Sequence, residues 1–274
     1  MNRALWTKAI LDAWLTLLGC ALLMFGFHWL FVWITSLIKL PDFKDMLDKI
    51  PPMFRKLPGI SMEELATHAG RLSMAYLDPV VYFVSAAWAI SRGSDSVAGE
   101  LGRGTMEMLL AQPVRRIAVL VTQITVMVAG AAVLAMAAWL GTRVGLATVN
   151  LEAEVAPRLF LPAAGNLFSL TVCTAGLSTL VSSWDRYRWR AIGIMASFYL
   201  VEFVLKVVSR TTESLGWLAQ FTFHGAYLPQ ILVTRPESAW QLSWQLDGIL
   251  LLIGTASFAA AAAIFCHRDL PAPL

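Results

Sequence analysis

The sequence predicts an all-α polytopic membrane protein: six transmembrane helices, an N-terminal interfacial helix, and a cytoplasmic helical segment between spans two and three. Two observations carry this. The 274 residues are 58% hydrophobic and only 14% charged, with 11 Trp and a mean hydropathy of +0.65, too apolar for a soluble globule of this length. The apolar residues also cluster in runs of about 18 to 25, the length at which a helix rising 1.5 Å per residue crosses the hydrocarbon core.

The first run spans about Leu15 to Ile38. Before it, Trp6, Ile10, Ala13 and Trp14 recur at helical spacing opposite Lys8 and Asp12, the pattern of an interfacial lead-in helix over residues 1–14. The run is too long for a cleaved signal peptide, and no small-residue cleavage site closes it. Residues 39–73 form a long loop. Within Pro41 to Arg71, Phe43, Met46, Leu47, Ile50, Met53 and Phe54 interleave with Asp42, Lys44, Asp45, Asp48 and Lys49, as in short amphipathic surface helices. Ser61-Met-Glu-Glu64 has the spacing of a capping box. Spans two to six follow at about Met74–Ser91, Ile117–Gly141, Leu161–Ser182, Ala191–Val208 and Leu246–Cys266, with a second long loop at 209–245. The run Leu215–Thr234 is rejected as a seventh span, because Gln220, Thr222, His224, Gly225, Pro229 and Gln230 suit a re-entrant or interfacial segment shielded by protein. All 274 residues read as one membrane domain.

Between spans two and three lies a charged island, residues 92–116. Its seven charged side chains, at roughly 2.5 to 3.5 kcal/mol each near a bilayer centre, would cost on the order of 20 kcal/mol. It is therefore expected in water or against another protein. Gly102 and Gly104 predict a break near Arg103; Thr105 can cap a second helix, Glu107 falls in its first turn, and Pro113 ends it. Met106, Leu109 and Leu110 form an apolar edge that invites a partner groove.

Orientation is a closer reading. The side holding the N-terminus and the island carries ten of the 21 Lys and Arg, but in the shorter loops, where the positive-inside rule has most force. The loop Trp184-Asp-Arg186-Tyr-Arg188-Trp-Arg190 suits the anionic headgroups of a cytoplasmic leaflet. The island and both termini are thus expected in the cytoplasm, with the chain a multi-pass protein of the inner or plasma membrane.

Enzyme chemistry finds no support. There is no HExxH; the four histidines, His28, His68, His224 and His267, lack metal-ligand spacing; and Cys20, Cys173 and Cys266 sit in apolar runs. No catalytic, cofactor or metal residue is expected, and nothing suggests nucleic acid. Within the spans, Glu202 and Lys206 stand four apart in the order that favours a helix ion pair. A structural pair and a lining of a substrate pathway both remain open for them. His28 is read as an interhelical hydrogen-bonding residue or a polar point on that pathway. Small residues at Gly130, Ala131, Ala132, Ala135 and Ala138, and at Gly254, Ala256 and Ala259–Ala263, suit close helix packing or a subunit interface; Asn166 and Gln123 share that ambiguity.

The island carries Ala98-Gly99-Glu100, then Arg103-Gly104-Thr105-Met106-Glu107-Met108-Leu109-Leu110, then Gln112-Pro113-Val114-Arg115-Arg116. In order and spacing, over about 20 residues, this resembles the segment after the second span in membrane subunits of type-two ATP-binding-cassette (ABC) exporters. The six-span layout and the long first loop agree, and Leu101-Gly102 departs from the charged residues usual there. The resemblance implies a coupling helix seated in a groove of a cytoplasmic ATPase, with Glu100, Arg103, Gly104, Thr105, Glu107, Leu109 and Pro113 shaping the contact. It also implies two permease subunits, in a homo- or heterodimer, with two ATPase subunits. The chain has no GxxxxGK[ST] loop, so ATP and Mg are expected on that separate polypeptide. An exporter permease is the function so implied, and an ATPase-independent channel or scaffold is the alternative; the apolar spans and few intramembrane charges lean towards a hydrophobic or amphipathic cargo such as a lipid, drug or peptide, with ions and metal-related cargo left open.

Overall fold

Helix begins at the third residue and dominates the chain. The computed structural model describes residues 3–51, 55–110, 115–149, 151 and 154–268, without the side chains of Leu40, Asp48, Glu107, Leu109, Leu110 and Glu213. In order come α1 (Arg3–Leu37), α2 (Leu40–Asp48), α3 (Met62–Leu65), α4 (His68–Ser73), α5 (Pro79–Ser94), α6 (Glu100–Gly102), α7 (Thr105–Leu110), α8 (Arg116–Thr148), α9 (Leu161–Trp184), α10 (Arg188–Thr211), α11 (Pro229–Thr234) and α12 (Ala239–His267). Six segments are long and apolar enough to cross a membrane: Arg3–Leu37, His68–Gly102, Arg116–Thr148, Pro157–Trp184, Arg188–Thr211 and Ala239–His267. They coincide with the six expected spans.

The expected lead-in helix over residues 1–14 is not a separate element. Residues 3–37 form one helix of 35 residues, about 52 Å long. Its buried stripe, Leu5, Ala9, Ala13, Cys20, Met24, His28 and Val32, keeps helical spacing throughout. This stripe lies along α8, and Leu11, Leu15, Leu22 and Leu23 face outward. No break residue interrupts the pattern, so the apolar prefix extends the span instead of turning into the interface.

Helix α9 is the most enclosed span, flanked by α12, α5 and α8. Gly130 and Gly254 serve packing within the chain, while Ala132, Ala256, Ala259, Ala260 and Ala263 of the same small-residue runs are exposed. A Cβ at Gly130 would lie 2.0 Å from the Trp88 ring, and one at Gly254 would lie 3.0 Å from Cys173 Cα. Trp88 is fully buried and donates its indole N–H to Met127 O at 3.2 Å, which fixes α5 against α8.

On the side opposite residues 95–116, the capping box is present: Glu64 N donates to Ser61 Oγ at 3.1 Å and Ser61 N to Glu64 Oε2 at 2.8 Å, opening α3. The amphipathic helix expected in the first loop is α2. Residues 215–234 do not form a long helix. They are 3₁₀ turns at Glu213–Phe221 and Phe223–Ala226 followed by α11, and His224 and Gln230 are fully buried. Asn166 pins the segment by donating to Ala226 O at 3.1 Å and accepting from Leu228 N at 2.9 Å, with Asp247 Oδ1 of α12 as its third partner at 2.8 Å. A polar residue in mid-span here holds irregular backbone inside the protein.

Gly130→Ala is expected to cost about 1 to 3 kcal/mol by overpacking against Trp88. In a thermal melt of the detergent-purified chain the midpoint falls by several degrees, while Gly248→Ala, with open space at its Cβ, leaves it unchanged.

Candidate coupling segment and lateral cavity

The charged island is continuous with span two. Helix α5 passes into a π turn, Asp95–Gly99, and then α6, so residues 92–102 prolong the span by helical turns. The expectation that the whole island lies in water or on a partner fails for this half: Arg92, Asp95 and Glu100 are 4%, 5% and 0% exposed. Part of the desolvation penalty is offset, because these charges pair with one another and with Lys8, Arg103 and Arg188.

Asp95 is the hub. Its Oδ1 accepts from Arg103 Nη1 at 2.7 Å and Arg188 Nη1 at 3.2 Å, and its Oδ2 from Arg92 Nη1 at 3.4 Å. Arg92 also donates to Asp12 O and Gln123 Oε1, each at 3.2 Å, which assigns Gln123 a partner within the chain. Glu100 accepts from Lys8 Nζ, from Arg103 Nη2 at 3.1 Å and from the Thr105 hydroxyl. The network thus joins α1, α5, α8 and α10 at one level. Bonding to Asp95 holds the Arg103 guanidinium above its ordinary pKa. The π turn presents the backbone N–H groups of Val97 and Ala98 to Ser182 Oγ at 3.3 and 2.9 Å, and that hydroxyl donates to Ser94 O at 2.9 Å. Gly99 leaves room for the hub, since a Cβ there would meet Asp95 Oδ1 at 2.2 Å.

The predicted break is present. Gly104 has φ +70°, a conformation that glycine adopts without strain, and α7 starts at Thr105. Thr105 acts differently from an N-cap: its hydroxyl ties back to Glu100, at 3.2 Å from the carbonyl O. Met106 is also corrected. It is fully buried with Val97, Leu120 and Phe265, so it roots α7 in the chain and leaves the edge. Met108 is 65% exposed beside the exposed Gly102, Arg103 and Gly104. Glu107 and Leu109 lie in α7 by backbone, with side chains outside the described set, and Pro113 is outside the described residues. Glu100, carried over as a contact residue, is an internal anchor, available to a partner only through the shape it imposes.

The intramembrane candidates separate. Glu202 and Lys206 form no ion pair. Glu202 Oε2 accepts from Phe223 N at 3.1 Å, whereas Lys206 Nζ donates to Tyr82 Oη at 2.6 Å and Tyr227 O at 2.7 Å. Both instead hold the 222–228 turn, which a sequence pattern for helix pairs cannot show. His28 makes no interhelical hydrogen bond: Nδ1 bonds Met24 O of its own helix at 2.8 Å, and the ring packs edge-on to Tyr76 at 4.6 Å. It is enclosed between α1 and α8 and lines none of the cavities described below.

A lateral cavity of ≈ 300 Å³ lies between α5 and α10, walled by apolar side chains including Phe83, Ala86, Ala196, Leu200 and Phe203. Next to it, sharing Tyr82 and Phe203, is a second cavity of ≈ 320 Å³, walled mostly by apolar groups such as Leu57, Leu77 and Val207 and made polar at Lys206, Arg210 and Asp78.

The family model described as "ABC-2 family transporter protein" matches residues 7–228. The chain belongs to the ABC-2 transporter family. It is therefore an ABC-2 permease, a multi-pass membrane subunit of an ABC transporter, and its family implies an ABC ATPase as partner. No curated protein matches it. In this ABC-2 permease the segment carrying the family resemblance is the one that the Asp95 network fixes.

Asp95→Asn removes the carboxylate shared by the buried Arg92 and the partly exposed Arg188 and Arg103 and is expected to cost about 1 to 3 kcal/mol. It lowers the melting midpoint and opens the 103–110 segment to limited proteolysis, whereas Arg115→Ala, at an exposed position, does neither.

Proposed function

We propose that this permease serves an ATP-driven exporter whose ATPase is a separate chain, docked on the exposed face of residues 101–110 at the cytoplasmic side. One observation supports the reading best: the two helices that flank the lateral cavity are also the two that the hub ties together. Arg188, at the start of α10, bonds Asp95 and also donates to Ser91 O of α5 at 3.4 Å. A push on α7 is passed through Met106 and Arg103 to the end of α5 and the start of α10, and so to both walls of the cavity. ATP and Mg act on the partner, and this chain contributes no catalytic group. Two permease copies, with both termini in the cytoplasm, complete the assembly.

Tagged chain purified from detergent-solubilised membranes is expected to bring down an ATPase. Met108→Arg is expected to reduce its recovery at least about ten-fold, since the new charge is desolvated in the dock, without changing membrane insertion. If wild type brings down no ATPase, a channel or scaffold is the better account; full recovery with Met108→Arg moves the dock elsewhere.

A further inference from the structure

Two basic side chains, Lys206 and Arg210, line the cavity next to the lateral one, and among the described residues no carboxylate is bound to either. Lys206 is 4% exposed, and its Nζ spends two of its three N–H donors on Tyr82 Oη and Tyr227 O. Arg210, one turn further along α10, makes one hydrogen bond, Nη1 to Leu57 O at 3.1 Å. Both line the polar cavity. The carboxylate there, Asp78, accepts from Val80 N at 2.9 Å to start α5 and bridges to neither cation. Ionisable groups within a membrane span are costly, and those retained face a protein interior or a functional cavity. With both bases protonated, the cavity sets two positive groups against the one carboxylate of Asp78.

The polar cavity is not isolated. Tyr82 and Phe203, whose rings meet edge-on at 5.1 Å, line both it and the apolar cavity, whose wall includes Phe83, Ala86, Ala196 and Leu200. Used as one site, the adjacent pair would offer an apolar slot between α5 and α10 and a basic head beside it. Volumes of ≈ 300 and ≈ 320 Å³ lie in the range of small-molecule sites. We infer that the site takes a single-chain anionic amphiphile, a fatty-acid-like molecule whose carboxylate pairs with Lys206 and Arg210 while its chain lies in the slot. Charge complementarity selects the head, and the apolar wall selects the chain. A free anion would gain nothing from the slot, and a neutral or cationic amphiphile would leave the two cations unpaired. The inference names the substrate class of the transporter proposed above and rests on that reading for transport, though not for binding.

The test uses the full chain in nanodiscs of zwitterionic lipid, with radiolabelled palmitate as probe and hexadecanol, hexadecyltrimethylammonium and acetate as competitors. Wild type is expected to bind palmitate saturably and to prefer it over hexadecanol by about ten-fold or more, the worth of hydrogen bonds to a charged group. Acetate should compete poorly. Lys206→Gln combined with Arg210→Gln is expected to bring the palmitate preference down to about two-fold; Ala196→Trp should weaken palmitate and hexadecanol together. If Lys206→Gln does not accumulate, Arg210→Gln alone, at a position only partly buried, must lower the preference several-fold. No saturable palmitate binding, equal competition by hexadecanol, or a preference that survives the Gln variants overturns the inference. ATPase co-purifying in the same preparation separates the two readings. ATPase without palmitate preference removes the substrate class alone, and preference without ATPase keeps the site and removes the transporter reading.

Discussion

The structure depends on the neutralisation of charge at the end of span two. Arg92, Asp95 and Glu100 are placed where neither lipid nor bulk water reaches them, and one unpaired member would cost several kcal/mol. The network that solves this draws on α1 through Lys8 and the Asp12 carbonyl, on α8 through Gln123, and on α10 through Arg188. Its geometry requires a π turn, because regular helix would not aim Val97 and Ala98 N–H at Ser182, and it requires Gly99 beside the Asp95 carboxylate. Such turns often mark functional sites. Here the same turn anchors the segment proposed above as the ATPase dock.

A second constraint operates at the other end of the bundle. The 213–228 turns carry backbone that cannot face lipid, so side chains from two spans satisfy it: Asn166 from α9, Glu202 and Lys206 from α10. Tyr227 adds a bond to Tyr76 O at 2.6 Å. Polar groups inside these spans are therefore largely structural, and Lys206 also borders a cavity.

Much of this was legible in the residues. Six runs of about the right length gave the six spans, because hydropathy reports lipid exposure summed over a whole helix. The break at Gly104 and the Ser61 capping box were legible because they rest on local backbone chemistry. What failed was tertiary. The island counted as seven isolated charges, since a sequence does not show that Lys8, 92 residues away, meets Glu100. Met106 read as an outward edge because helical periodicity names a face without saying what lies against it. Glu202 and Lys206 had ion-pair spacing, yet a buried backbone N–H and a carbonyl outcompeted the pair. The α1 prefix read as interfacial from its Trp and Lys residues, whereas its buried stripe of Leu5, Ala9 and Ala13 continues that of the span.

The central claim is that residues 95–104 are a rigid, internally bonded extension of span two and not a solvated loop. Amide hydrogen exchange of the chain in lipid nanodiscs tests this directly. The account predicts that Val97 and Ala98 exchange as slowly as the core of α9, to which Ser182 binds them. Exchange at the rate of an open loop, with α9 still protected, would contradict it.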